Sequence, residues 1–145
     1  MKSDLFDYDA ARDVAYFNFT GRSLDVSRLA RVPGDRPLPA VLLADGPGSF
    51  VGLVIAEASR VLPPALIASG EVSRLTYSPS VDMGYIELVP VGPGEVRVTD
   101  PFEGLPGNLF VALDFDKDEL LRGIELDSVS MLLGAAVLEG VQIVD

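Results

Sequence analysis

The chain has 145 residues, 48% of them apolar, enough for a real core, and carries a formal net charge of −11 with neither histidine nor cysteine. Their absence excludes disulfides, thiolate chemistry, the Ser-His-Asp and Cys-His nucleophiles and the ordinary zinc site. An enzyme built here would have to work with carboxylates, Ser/Thr, Tyr, Arg or one of only two lysines, Lys2 and Lys117.

In chain order, the first half opens on a short strand and a turn from Asp9 to Asp13, followed by a strand over residues 14–19. Residues 22–39 are longer and more basic, with Arg22, Arg28, Arg31 and Arg36; residues 25–32 read as a strand, although their apolar spacing fits a short helix almost as well. Residues 33–39 read as a loop. Residues 40–44 and 49–55 form a hairpin around Asp45-Gly46-Pro47-Gly48, and residues 57–62 a short helix stopped by Pro63-Pro64. The second half repeats the plan. A strand over 72–77, a turn over 78–82 and a strand over 85–89 lead to a fourth segment, 95–99, with clean two-residue alternation. Residues 100–108 are rich in Pro, Gly and Asn and read as a loop, and 109–113 and 121–126 flank an acidic turn. Asp127 or Ser128 is a credible N-cap for an amphipathic helix over 129–138, in which Val129, Leu132, Leu133, Ala136 and Val137 share a face and Gly134 and Gly140 mark the limits.

The two halves match in detail. Tyr8, Asp13 and Tyr16 recur as Tyr77, Asp82 and Tyr85 at the same spacing; Gly52-Leu53-Val54-Ile55 answers Gly123-Ile124-Glu125-Leu126, and Ala58-Ser59 answers Val129-Ser130. Matched blocks in the same order are the mark of a duplicated supersecondary unit. The pattern predicts an α+β fold: two tandem antiparallel β-meander-plus-helix modules, residues 1–63 and 72–145 with a linker at 64–71, related by pseudo-twofold symmetry and packed as one globular unit.

A Tyr-Asp-x-x-x-Asp-x-x-Tyr opening, an acidic hairpin and then Gly-Ile-Glu-Leu before a Ser-bearing helix resemble the domain-of-unknown-function 2283 family (DUF2283), in two copies that cover most of the chain. Ser78 stands where that family has Asp, and Leu43-Ala44-Asp45 replaces the acidic hairpin of the first copy. The resemblance implies a compact antiparallel α+β fold and no known catalysis. Because some relatives are encoded beside small toxin-like proteins, it also implies an antitoxin or partner-binding role.

The sharpest chemical motif is Asp114-Phe115-Asp116-Lys117-Asp118-Glu119. Asp114, Asp116 and Asp118 fall at positions 1, 3 and 5 of a calcium loop and Glu125 at position 12. Glu119 occupies position 6, where the sharp bend wants Gly, and the flanks are β-like, so a solvated hairpin turn with Glu125 facing outward is the favoured reading. The four tyrosines suggest either a symmetric pocket or, preferably, aromatic packing with bonded hydroxyls. Asp9, Asp13 and Asp82 are explained by their turns. The arginines of 22–36 are interspersed with Asp25 and Asp35 and read as a solvated face. Gly46-Pro47-Gly48-Ser49 lacks the Lys-Ser/Thr of a phosphate loop, so no cofactor is expected.

The charge is uneven: −2 over residues 1–72 and −9 over residues 73–145. Such a surface repels phosphate backbones and attracts a basic protein or cations. No apolar run approaches the ~20 residues of a membrane helix, and Met1-Lys2-Ser3-Asp4 leads into acidic residues with no signal core, so a cytoplasmic location is expected. The expectation is a non-catalytic interaction or regulatory protein, antitoxin-like, acting on a basic protein and not on nucleic acid or membrane, as a monomer or homodimer. The alternative is a small-molecule or calcium-binding protein with its site between the modules or at the acidic hairpin.

Overall fold

Alternation of apolar and polar residues sets the strands, and the computed structural model describes them through residues 5–20, 30–33, 40–45, 50–90, 92–102, 105 and 109–144. Strands β1 (Phe6–Asp9), β2 (Val14–Asn18), β3 (Ala30–Pro33), β4 (Ala40–Ala44) and β5 (Phe50–Ala56) form one sheet in the order β1-β2-β5-β4-β3. Two short helices follow, α1 (Ala58–Val61) and α2 (Pro64–Ser69). Strands β6 (Arg74–Ser78), β7 (Met83–Glu87), β8 (Val98–Pro101), β9 (Val111–Phe115) and β10 (Leu121–Asp127) form the second sheet with a short β11 (Gln142–Ile143), in the order β11-β6-β7-β10-β9-β8. Helices α3 (Val129–Leu132) and α4 (Ala135–Leu138) lie between β10 and β11. All pairings are antiparallel except β11 on β6. Among the described residues no helix is long and apolar enough to cross a membrane.

The expected meander is corrected by the strand order. In each sheet the last long strand, β5 or β10, inserts beside the second strand instead of ending at an edge, a Greek-key arrangement. The physical reason is burial. β5 and β10 are the longest strands and are buried along most of their length, so they take a central position with both edges paired. The matched strand at 95–99 begins three residues later than expected, at Val98, and the basic segment 22–29, the loop 34–39 and Gly46–Ser49 lie outside the described residues.

One contiguous core draws on both sheets. Phe17, Phe19, Leu42, Leu53 and Ile55 from the first half join Ile86, Val111, Phe115, Leu121 and Leu126 from the second. Phe6 and Phe17 pack with ring centroids 5.1 Å apart.

The helix expected over 129–138 is broken in two. Leu133 is extended (φ −95, ψ 133), and the Gly134 N–H donates to the Phe19 carbonyl of the first half (2.8 Å). A methyl group on Gly134 would run into the Thr20 carbonyl, so only glycine admits this close approach. The expected side-chain N-cap is absent too: Ser128 sits left-handed (φ 53) and makes no capping bond, while the Asp127 carboxylate accepts the Ser128 N–H at 2.7 Å. In the first half Pro63-Pro64 ends α1 as expected, but Pro64 also opens α2 within the linker, because a missing N–H costs nothing in a first helical turn.

Candidate functional site: the outer face of the second sheet

Two devices recur in the halves. In the first, the Tyr8 hydroxyl donates to Asp13 Oδ1 (2.7 Å), the Ser59 N–H to Oδ1 (2.9 Å) and the Ser59 hydroxyl to Oδ2 (2.6 Å). In the second, Tyr77, the Ser130 N–H and the Ser130 hydroxyl reach Asp82 at 2.9, 2.9 and 2.7 Å. Each aspartate is left-handed (φ 54 and 53), and its carbonyl accepts the N–H that opens α1 or α3. The tyrosine, the β-turn and the helix start are thus tied to one carboxylate. The bonds from Ser59 and Tyr8 hold Asp13 below the ordinary carboxylate pKa. For Asp82 burial pushes upward, but the bonds from Ser130 and Tyr77 outweigh it and the pKa is lowered. These are latches: both oxygens of each carboxylate have a structural use. The signal was present in the paired Asp13/Asp82 and Ser59/Ser130, but their mutual contact was not legible.

The second device is the outer face of each sheet, where cross-strand registers correspond. Val54 lies opposite Tyr16 and Val41, and Glu125 opposite Tyr85 and Ala112. Leu43 lies opposite Gly52, and Asp114 opposite Gly123. In the first sheet this face is a second apolar cluster: Leu43, Val51 and Val54, with Val14, Tyr16 and Val41 packed against them. In the second sheet the positions of Leu43 and Val54 hold Asp114 and Glu125.

Asp114 is only 4% exposed. It accepts the Thr99 hydroxyl at 2.7 Å, with Tyr85 and Glu125 beside it. Tyr85 lies over Gly123, where any side chain would collide with its ring and hydroxyl. Burial first, then the bond and charge of Asp114, push the Glu125 carboxyl up to about 7. Burial and the surrounding Asp114, Glu125 and Glu87 push the Tyr85 phenol up as well. Next to this cluster the Arg74 Nε–H donates to the buried Glu87 at 2.8 Å. No ion pair reaches Asp114 or Glu125 among the described residues.

The calcium-loop set is not brought together. The solvated turn expected for Asp114, Asp116 and Asp118 is corrected: Asp114 lies within β9 beside Glu125 and is buried, and Asp116 is buried as well, because both carboxylates accept hydrogen bonds from the fold. Asp116 is turned to other partners: its carboxylate accepts the N–H groups of Asp118 (2.8 Å) and Leu120 (3.1 Å) and the Arg122 Nε–H (2.6 Å). Burial alone would raise the Asp116 pKa; those bonds outweigh it and lower it. Asp118 stays exposed at the turn. Among the described residues no group of three or more acidic side chains is placed to hold a metal ion. The tyrosines divide by role: Tyr8 and Tyr77 serve the latches, Tyr16 the apolar face and Tyr85 the acidic cluster. Between the halves a cavity of about 260 Å³ is lined by Thr20, Phe50 and Val51 and by residues 131–134.

No family model, no curated protein and no solved structure matches the chain.

Proposed function

We propose that this chain is a non-catalytic cytoplasmic interaction protein, antitoxin-like or regulatory, whose second sheet captures a basic protein partner. One observation carries the proposal. Asp114 and Glu125 are crowded on the outer face of that sheet beside Tyr85 and Glu87, and no cation pairs with either among the described residues. A partner Lys or Arg laid over the pair would release the Glu125 proton and replace like-charge crowding with charge-assisted hydrogen bonds. The charge of −9 over residues 73–145 would speed the encounter and repel phosphate backbones.

The two halves are, in this reading, diverged copies of one module, related by pseudo-twofold symmetry within one globular unit. The repeated strand order, the corresponding registers and the two Tyr-Asp-Ser latches support this. The likeness to the 2283 family rests on those same residues. Divergence left one copy to supply an apolar face and the other the acidic face.

The test is affinity capture from source lysate by the tagged protein, read by mass spectrometry. A stoichiometric basic protein should be retained at low salt, released at high salt and missed by the D114N/E125Q double variant. Equal retention by that variant would remove the second sheet from the interaction, and no partner at all would remove the interaction reading. Calcium binding through Asp114, Asp116, Asp118 and Glu125 is the weaker reading, because Asp116 already spends its oxygens on Arg122 and two backbone donors. Millimolar calcium should leave the melting temperature unchanged.

A further inference from the structure

Residues 73–145 contain only four basic side chains, Arg74, Arg97, Lys117 and Arg122. Three of these four line a single pocket of about 280 Å³, where the segment before β8 folds against the β9–β10 turn. The fold holds that approach in place through the Arg97 N–H, which donates to the Phe115 carbonyl at 2.8 Å. In so acidic a half, such a concentration of cations needs a reason. Neutralising nearby acids is not the reason for two of them: among the described residues neither Arg97 nor Lys117 enters an ion pair or side-chain hydrogen bond, although Glu95 and Asp118 line the same pocket.

Arg122 is treated differently. It sits at the β-bulge of β10, and its Nε–H is fixed on Asp116, which is 6% exposed and anchored by two backbone N–H groups. This bond orients the guanidinium through Nε, and its two Nη groups make no bond among the described residues. A planar fork held on one edge is suited to a carboxylate on the other. The pocket thus presents three cationic donors, one of them pre-positioned, together with two carboxylates, Glu95 and Asp118, that have no cation of their own among the described residues.

We propose that this pocket binds a small zwitterion of the α-amino-acid type. The carboxylate is held by Arg122 together with Arg97, and the ammonium group by Asp118, with Lys117 and Glu95 at the edge of the same pocket. A dipolar ligand satisfies both signs at once, whereas a simple anion leaves the two carboxylates repelling it and a simple cation does the same with the arginines. The size agrees: pockets for drug-sized ligands begin at about 300 Å³, so this one suits a small metabolite. Asp116 is a positioning residue, acting only through Arg122. The site is separate from the Asp114–Glu125 face, so either can fail without the other.

Isothermal titration of the purified protein at low salt is the test, with the neutral amino acids one by one, succinate and inorganic phosphate as anions, and putrescine as a cation. At least one amino acid should give saturable binding that neither type of single-charge probe reproduces. Binding should weaken tenfold or more in R97Q and in D118N. Both side chains are exposed and make no ion pair among the described residues, so these variants keep the wild-type melting temperature and loss of fold cannot explain the effect. Succinate or phosphate binding as tightly as any amino acid, D118N binding unchanged, or no saturable binding by any amino acid would each overturn the proposal.

Discussion

The outer faces of the two sheets share a backbone plan and differ in what they bury. Leu43, Val51 and Val54 are 2%, 4% and 6% exposed in an apolar cluster, while the register positions of Leu43 and Val54 are filled by Asp114 and Glu125 in the other sheet. The apolar version is held by packing and tolerates no charge. The acidic version holds Asp114 through the Thr99 hydroxyl and raises the Glu125 pKa, which is a costlier way to fill the same space. Hydrogen-bond register sets where side chains point, and it does not set what they are. A face that keeps two carboxylates, where the matching face holds valine and leucine, is the face on which the proposed partner reading rests.

The largest effect expected from breaking this contrast is at Val54. Val54→Glu puts a carboxylate among Leu43, Val41 and Tyr16, where Leu43 stands in place of Asp114, and should cost on the order of 3 kcal/mol in urea unfolding. The reciprocal Glu125→Val should be neutral or stabilising, by up to about 1 kcal/mol, because it removes a crowded charge. Equal costs for the two changes would show that the faces are not energetically different.

A smaller effect should appear in the pH dependence. The folded chain raises the Glu125 pKa from the ordinary carboxylate value of 4.5 to about 7, so it holds the proton more tightly than the unfolded chain does. That stabilisation is complete below the unfolded pKa and is lost as pH rises through about 7. After discounting for the solvent that reaches a half-buried group, the loss should be on the order of 1–2 kcal/mol between about pH 4.5 and pH 7.5. Glu125→Gln should flatten that part of the stability curve. A wild-type curve that rises over the same interval would contradict the raised Glu125 pKa.

The smallest effect concerns what the halves have in common. Ser130→Ala removes one hydroxyl bond to Asp82 and should lower stability by about 0.5–1.5 kcal/mol in thermal unfolding. Ser59→Ala should act in the same direction at the other latch. A loss confined to one of them would mean that the latches are not equivalent.

Much of this was legible in the residues. Two-residue alternation placed most strands, Pro63-Pro64 ended α1, and the recurrence of Tyr, Asp and Ser marked the residues that became the latches. Glu125 pointed outward because Ile124 and Leu126 had to point in. These are local rules, in which a side chain's period and the φ it tolerates decide its neighbourhood. The tertiary structure alone decided the rest. Competition for the central, doubly paired position sent β5 and β10 between earlier strands and replaced a meander with a Greek key. The carbonyl of Phe19 took the Gly134 N–H and broke a helix whose apolar spacing was intact. Arg122 and two backbone N–H groups drew Asp116 away from Asp114, so a run with calcium-loop spacing was divided between a turn and a sheet face. In each case a residue's partner lay far away in the chain. One-dimensional spacing states which groups are available, and only packing states which of them meet.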